Sequence, residues 1–106
     1  MTERGGGRPA WTFLTNHAHV LVCIAEQPDM RGRDIAEAVG ITERATQAII
    51  ADLVDAGYVT RTREGRRNRY AINPDGPLRH PLEQHRTVGE LLAMLGKLRA
   101  RRRRSA

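Results

Sequence analysis

Cysteine and lysine are each used once in these 106 residues, at Cys23 and Lys97, and no apolar run approaches the length of a membrane span. One cysteine cannot close a disulfide within the chain, which fits a reducing compartment without proving it. A spanning helix needs ~20 consecutive apolar residues. The N-terminus, MTERGGGRPA, lacks the hydrophobic stretch of a secretion signal. A cytoplasmic location is therefore expected, with no membrane partner. Catalytic signatures are missing too: no nucleophile elbow, no phosphate-cradling glycine loop and no paired carboxylates in an apolar setting. The glycines at 5–7 have no strand or helix around them. Neither an enzyme nor a cofactor is expected.

What is abundant is arginine. Eighteen basic residues stand against twelve acidic ones, a formal net charge of +6, and with one lysine the remaining seventeen are arginines. Such a balance predicts attraction to polyanions, although the skew is also what a G+C-rich bacterial genome produces by mutation bias alone. The charge is concentrated at the end. Arg99 and Arg101, Arg102, Arg103 and Arg104 have no acid nearby, and without residues 99–106 the net charge falls from +6 to +1. That tail either adds non-specific phosphate binding or is an inert solubilising end.

The length suits one domain with tails and one modest core. Residues 1–14 read as a flexible arm, 15–98 as the folded domain and 99–106 as a basic disordered tail. A first helix is predicted over about 16–27, capped by Thr15 or Asn16 and stopped by Pro28. Its middle, from Val20 through Leu21 and Ile24 to Ala25, is apolar on every side, whereas a surface helix keeps a polar stripe. One face packs on the core. The other is either half of a subunit interface or is covered by the aromatic arm and last helix of the same chain.

A second helix is predicted over 32–39, with Ile35, Ala36 and Val39 facing inward and Gly40 closing it. A third starts after Thr42 and runs to about residue 56, with Ala45, Ile49, Leu53 and Ala56 as its inward stripe, until Gly57 stops it. Residues 58–62 and 69–72 are β-prone, around a polar tip at 63–68 centred on Gly65, and so predict a hairpin. Residues 73–81 hold three prolines and a glycine and form a connection. Thr87 and Glu90 have the spacing of a capping box, after which Val88, Leu91, Leu92, Leu95 and Leu98 share a helical face. Alternatively Pro81 sits in the first turn of a longer helix starting at His80.

Ile35, Ala36, Gly40, Ile41 and Thr42, then Leu53 through Ala56, Gly57, Tyr58 and Val59, then Gly65 to the arginine-bearing strand ending at Tyr70, occur in that order. Together they resemble the winged helix-turn-helix of bacterial transcription regulators, similar to the MarR and ArsR families, over about residues 15–98. The resemblance implies a mainly α fold with a small β-hairpin and a C-terminal dimerisation helix. The third helix would enter the major groove N-terminal half first, and the wing would lie along a neighbouring backbone or minor groove.

On that reading Thr42 caps the helix and touches phosphate. Arg44 can offer two hydrogen bonds to guanine, Gln47 can pair with adenine, and Glu43 can accept from cytosine or hold Arg44 in place. Many relatives carry Ser-Arg where Gln47 and Ala48 stand, so the basic contact they make there is absent. Arg61, Arg63, Arg66, Arg67 and Arg69 supply the wing, with three or four able to meet DNA at once; the bland alternative is that they, like the polar face of the third helix, are merely solvated. Leu21 and Ile24 with Val88, Leu91, Leu92, Leu95 and Leu98 are the expected subunit interface. The function implied is a homodimeric, sequence-specific regulator binding double-stranded DNA at an inverted repeat, its half-sites about one helical turn apart. A protein-interaction module and a sequence-independent chromosome-binding protein are the alternatives. No effector is identifiable.

Some relatives sense metals, and His19 and Cys23 stand i, i+4. His17, His80 and His85 add no compact cluster, and the expectation is that no metal is bound. Cys23 reads as an ordinary buried side chain rather than half of an intersubunit redox pair.

Overall fold

The computed structural model describes residues 8–97, as four helices and one two-stranded antiparallel sheet. The first helix, α1 (Asn16–Glu26), is capped by Thr15, whose Oγ1 accepts from the Ala18 amide at 3.4 Å. The next two, α2 (Gly32–Val39) and α3 (Glu43–Asp55), are separated by a tight turn at Gly40, whose left-handed backbone lets its own amide and that of Ile41 bond back to the Ala36 carbonyl. Thr42 Oγ1 accepts from Ala45 N at 3.0 Å and so begins α3 as its sequence requires.

The inward face of α3 is rotated from the expected one. Thr46, Ile49, Ile50 and Leu53 are buried, whereas Ala45 is half-buried and Ala56 exposed. Spacing of i, i+3, i+4 and i+7 from position 46 captures two isoleucines and a leucine, more apolar area than a stripe starting at Ala45. Thr46 tolerates full burial because its hydroxyl donates to the Thr42 carbonyl one turn back.

The strands β1 (Val59–Glu64) and β2 (Arg67–Ile72) are longer than the β-prone runs alone suggest, with register Val59 to Ile72 and Glu64 to Arg67. Only Gly65 and Arg66 remain as the loop, because Gly65 takes a φ of 63° and a two-residue hairpin turn needs that left-handed backbone. The outer edge of β2 is partly covered: the Tyr70 amide donates to the Pro28 carbonyl at 2.9 Å.

Between β2 and the last helix, residues 73–87 form a looped connection, and residues 81–86 are turns rather than an early helix at Pro81. The helix α4 (Val88–Met94) begins with a complete capping box. Thr87 Oγ1 accepts from Glu90 N at 3.1 Å, and Glu90 Oε1 accepts from Thr87 N at 2.9 Å. Its end comes earlier than the leucine stripe predicts. Gly96 has a φ of 75° and donates to the Ala93 carbonyl, while the Lys97 amide reaches Leu92 O, a paired closure that stops the helix at seven residues. Leu95 is the cap residue, outside the helical face it was expected to share, and Leu98 lies outside the described residues.

Val20, Leu21, Ile24, Ile35, Ile50, Leu53, Tyr58, Tyr70, Val88 and Leu92 form one core. Leu21, Ile24, Val88 and Leu92, expected at a subunit interface, are thus already buried by their own chain, at 4, 1, 4 and 1% exposure. The apolar side of α1 is covered from within, because α1 packs against α2, α3 and β2 and joins Val88 and Leu92 in one core, while Lys97 Nζ reaches Glu26 Oε2 at 2.7 Å. Of the expected interface residues described, only half-buried Leu91 and exposed Leu95 keep open apolar surface. Among the described residues no helix is long and apolar enough to cross a membrane.

The Glu90 carboxylate is held below the usual carboxylate range by the Thr87 amide and by Arg86, whose Nη1 lies 2.8 Å from Glu90 Oε2. A lowered folded-state pKa stabilises above the ordinary value and loses that effect as pH falls through the folded one. Glu90→Gln should therefore melt below wild type at neutral pH, with the gap closing on acidification, as followed by circular dichroism.

Candidate nucleic-acid interface

Recognition from α3 requires exposed, uncommitted polar groups over its first two turns. Thr42, Glu43, Arg44, Gln47 and Ala48 are all exposed. The Thr42 hydroxyl accepts from Ala45 N and keeps its own proton available to a phosphate oxygen. None of the hydrogen bonds or ion pairs among the described residues engages Arg44, which leaves its guanidinium fork available for a base edge or a phosphate. Gln47 lies against Gly32 at the first position of α2, where a Cβ would collide with Gln47 Nε2 and the next atom, Cδ, is 3.7 Å away. Exposed Arg31 and Arg33 flank that contact. Sequence reasoning passed over both; the available signal was two arginines at the start of a helix packed beside α3.

All five wing arginines are exposed, and the register divides them. Arg61 and Arg63 share a face with Tyr70 and Asn68, while Arg67 and Arg69 share the other with Thr60, Thr62 and Glu64. Arg66 sits in the turn. A surface lying along either face therefore meets two strand arginines and Arg66. Two of the five are already engaged: Arg67 Nη2 donates to the Asp29 carbonyl at 2.6 Å, and Arg63 Nε donates to Gly65 O at 3.2 Å. Arg67 is in this respect a strut, fastening the wing to the loop between α1 and α2.

That loop brings the two halves of the interface together. Pro28 and Asp29 accept from Tyr70 and Arg67 of β2, and Gly32 carries Gln47 of α3. The four steps from Pro28 to Gly32 span at most about 14 Å, so the points at which β2 and α3 meet this segment lie within that distance along it. Another cation, missed by sequence reasoning, stands at the turn. Arg8 lies over Gly40 with Nη2 3.5 Å from the Glu37 carbonyl, where the C-terminal end of α2 favours positive charge. The arginines at 99 and 101–104 lie outside the described residues.

The candidate metal ligands do not converge. His19 Nδ1 is 3.2 Å from Asn16 Oδ1, Cys23 is buried, and among the described residues no group of three His, Cys, Asp or Glu side chains could hold a metal ion. Burial pushes the Cys23 thiol up, with Glu26 adding to the effect, away from the reactive thiolate. A separate open concavity of about 1000 Å³ lies between α1, the end of α3, the 77–83 connection and α4. Phe13, Leu14, Leu21 and Leu91 are among its apolar lining, and at its edge His17 Nε2 sits 2.8 Å from Asp52 Oδ2.

The strut predicts different outcomes for neighbouring arginines. Arg67→Ala removes a cationic hydrogen bond and should destabilise the fold by about 1 kcal/mol, while Arg66→Ala should stay within about 0.5 kcal/mol of wild type, both read from urea titrations.

No curated protein matches the chain at a significant level. The profile of the MarR family matches residues 12–69, which run from the arm through all three helices of the helix-turn-helix into the second strand of the wing. By that match, over more than half its length, and by the winged helix it folds into, the chain belongs to the MarR family, a family of DNA-binding transcription regulators.

Proposed function

We propose that the protein is a sequence-specific regulator that binds an inverted-repeat operator as a homodimer. In each half-site the start of α3 enters the major groove, where Arg44 and Gln47 read bases, Glu43 accepts from cytosine or steers Arg44, and Thr42 holds a phosphate. Arg66 and Arg69 lie along the adjoining backbone, Arg61 adds charge from the opposite face of the hairpin, and Arg63 and Arg67 shape the wing. The observation that carries this reading is the shared anchoring of α3 and the wing on residues 28–32, with an exposed arginine fork and carboxamide on one side and exposed wing cations on the other.

The reading of a dimer rests on apolar surface left uncovered. Trp11, Phe13, Leu82, Met94 and Leu95 are exposed, Phe13 at 92%, and Trp11 and Phe13 pack edge to face with centroids 5.0 Å apart. A monomer gains nothing by leaving such large apolar side chains in water. Phe13 and Leu91 line the concavity beside α1 and α4, and that lining is the apolar face we assign to a second copy.

Duplex DNA binding measured at two or more salt concentrations tests the central claim. For ~8 phosphate contacts per dimer the log affinity should fall against log salt with a slope near −7, and a chain without salt-sensitive duplex binding overturns the reading. Arg44→Ala should relax preference at one half-site position, whereas Arg66→Ala should weaken all sequences alike. Removing residues 99–106 should leave sequence preference intact. Sedimentation of the Leu91→Glu, Leu95→Glu double variant should show monomer where wild type shows dimer; a monomeric wild type removes the dimer from the proposal.

A further inference from the structure

Gly32 opens α2, and its φ is not among the left-handed values that demand glycine, which occur at Gly40, Gly57, Gly65 and Gly96. Glycine in a helix is less favourable than alanine by about 0.5–1 kcal/mol. Neither backbone geometry nor helix propensity therefore accounts for its presence. Contact does: a Cβ at this position would meet one group, the carboxamide end of Gln47, and no backbone atom.

An exposed glutamine otherwise samples many rotamers, and fixing one on binding is costly in entropy. Resting on the bare Cα of Gly32, with Arg31 and Arg33 to either side, the Gln47 carboxamide has a defined seat before DNA arrives. We propose that Gly32 is a positioning residue for base recognition, its missing side chain setting the direction in which Gln47 offers its amide to a base edge. This rests on the reading of α3 as the groove-inserted helix. The edge that suits a glutamine fork is adenine, with its ring-nitrogen acceptor and amino donor.

The position also makes the idea testable without breaking the fold. The colliding atom is the tip of a flexible side chain, so alanine at 32 moves the amide and leaves the helices in place. Duplexes selected from a random-sequence library by wild type, Gly32→Ala, Gln47→Ala and the double variant provide the readout. Gly32→Ala should lower preference by at least about 5-fold, the low end for one bidentate contact, at the same base position that Gln47→Ala erases. Other positions should be unchanged, and the double variant should match Gln47→Ala alone.

Unchanged preference in Gly32→Ala alongside a loss in Gln47→Ala overturns the proposal while leaving Gln47 as a reader. A uniform loss at all positions, or a Gly32→Ala effect that persists without Gln47, overturns it as well. If Gln47→Ala itself moves no position, base reading by Gln47 fails, and the proposal fails with it. Thermal melting of Gly32→Ala should match or exceed wild type. Should that variant not fold, Gln47→Asn, one methylene too short to reach the seat, should produce the same loss at the same position; unaltered preference there overturns the proposal.

Discussion

The short segment from Pro28 to Gly32 sets the geometry on which the proposed recognition depends. Its carbonyls at Pro28 and Asp29 accept from the backbone of Tyr70 and the guanidinium of Arg67, its Arg31 carbonyl accepts from the first amides of α2, and its Gly32 bears Gln47. A hairpin held only by its own ladder is marginally stable in water. Here the edge of β2 is partly occupied and one arginine is clamped, so the wing is fastened to the loop that leads into α2. Affinity and specificity need that attachment, since backbone contacts fix the register in which base contacts are read.

The remainder of the fold supplies a rigid base for this segment. With so few residues the chain can build only one core, and it spends nearly every large apolar side chain of α1, α2, α3 and α4 on it. The brevity of α4 follows from Gly96, which closes the helix and returns Lys97 toward Glu26. A short α4 contributes Val88 and Leu92 to the core. The apolar side chains that find no place in the core, Trp11, Phe13, Leu82, Met94 and Leu95, remain at the surface.

Much of the architecture could be read from local chemistry. Thr15, Thr42 and Thr87 each cap a helix with their own hydroxyl, Gly40 and Gly57 end α2 and α3, and Thr87 with Glu90 forms a capping box, because these signals act over three or four residues. The candidate base readers lie where the pattern placed them, exposed over the first turns of α3. The burial of Thr46 in place of Ala45 was not legible, since it depends on which rotation of α3 fills the space left by the other helices. The engagement of Arg67 was equally hidden: in sequence it is one of five similar wing arginines, and its partner carbonyl stands 38 residues away.

The sequence by itself determined where the helices begin, where α2 and α3 end, that a hairpin turns around Gly65, and that the chain carries excess positive charge, because each is set by neighbours along the chain or by composition. Tertiary structure decided which apolar faces were already used. Leu21, Ile24, Val88 and Leu92 have the periodicity of an interface and are buried within their own chain. Periodicity reports that a face must be covered, and only the three-dimensional path of the chain decides what covers it.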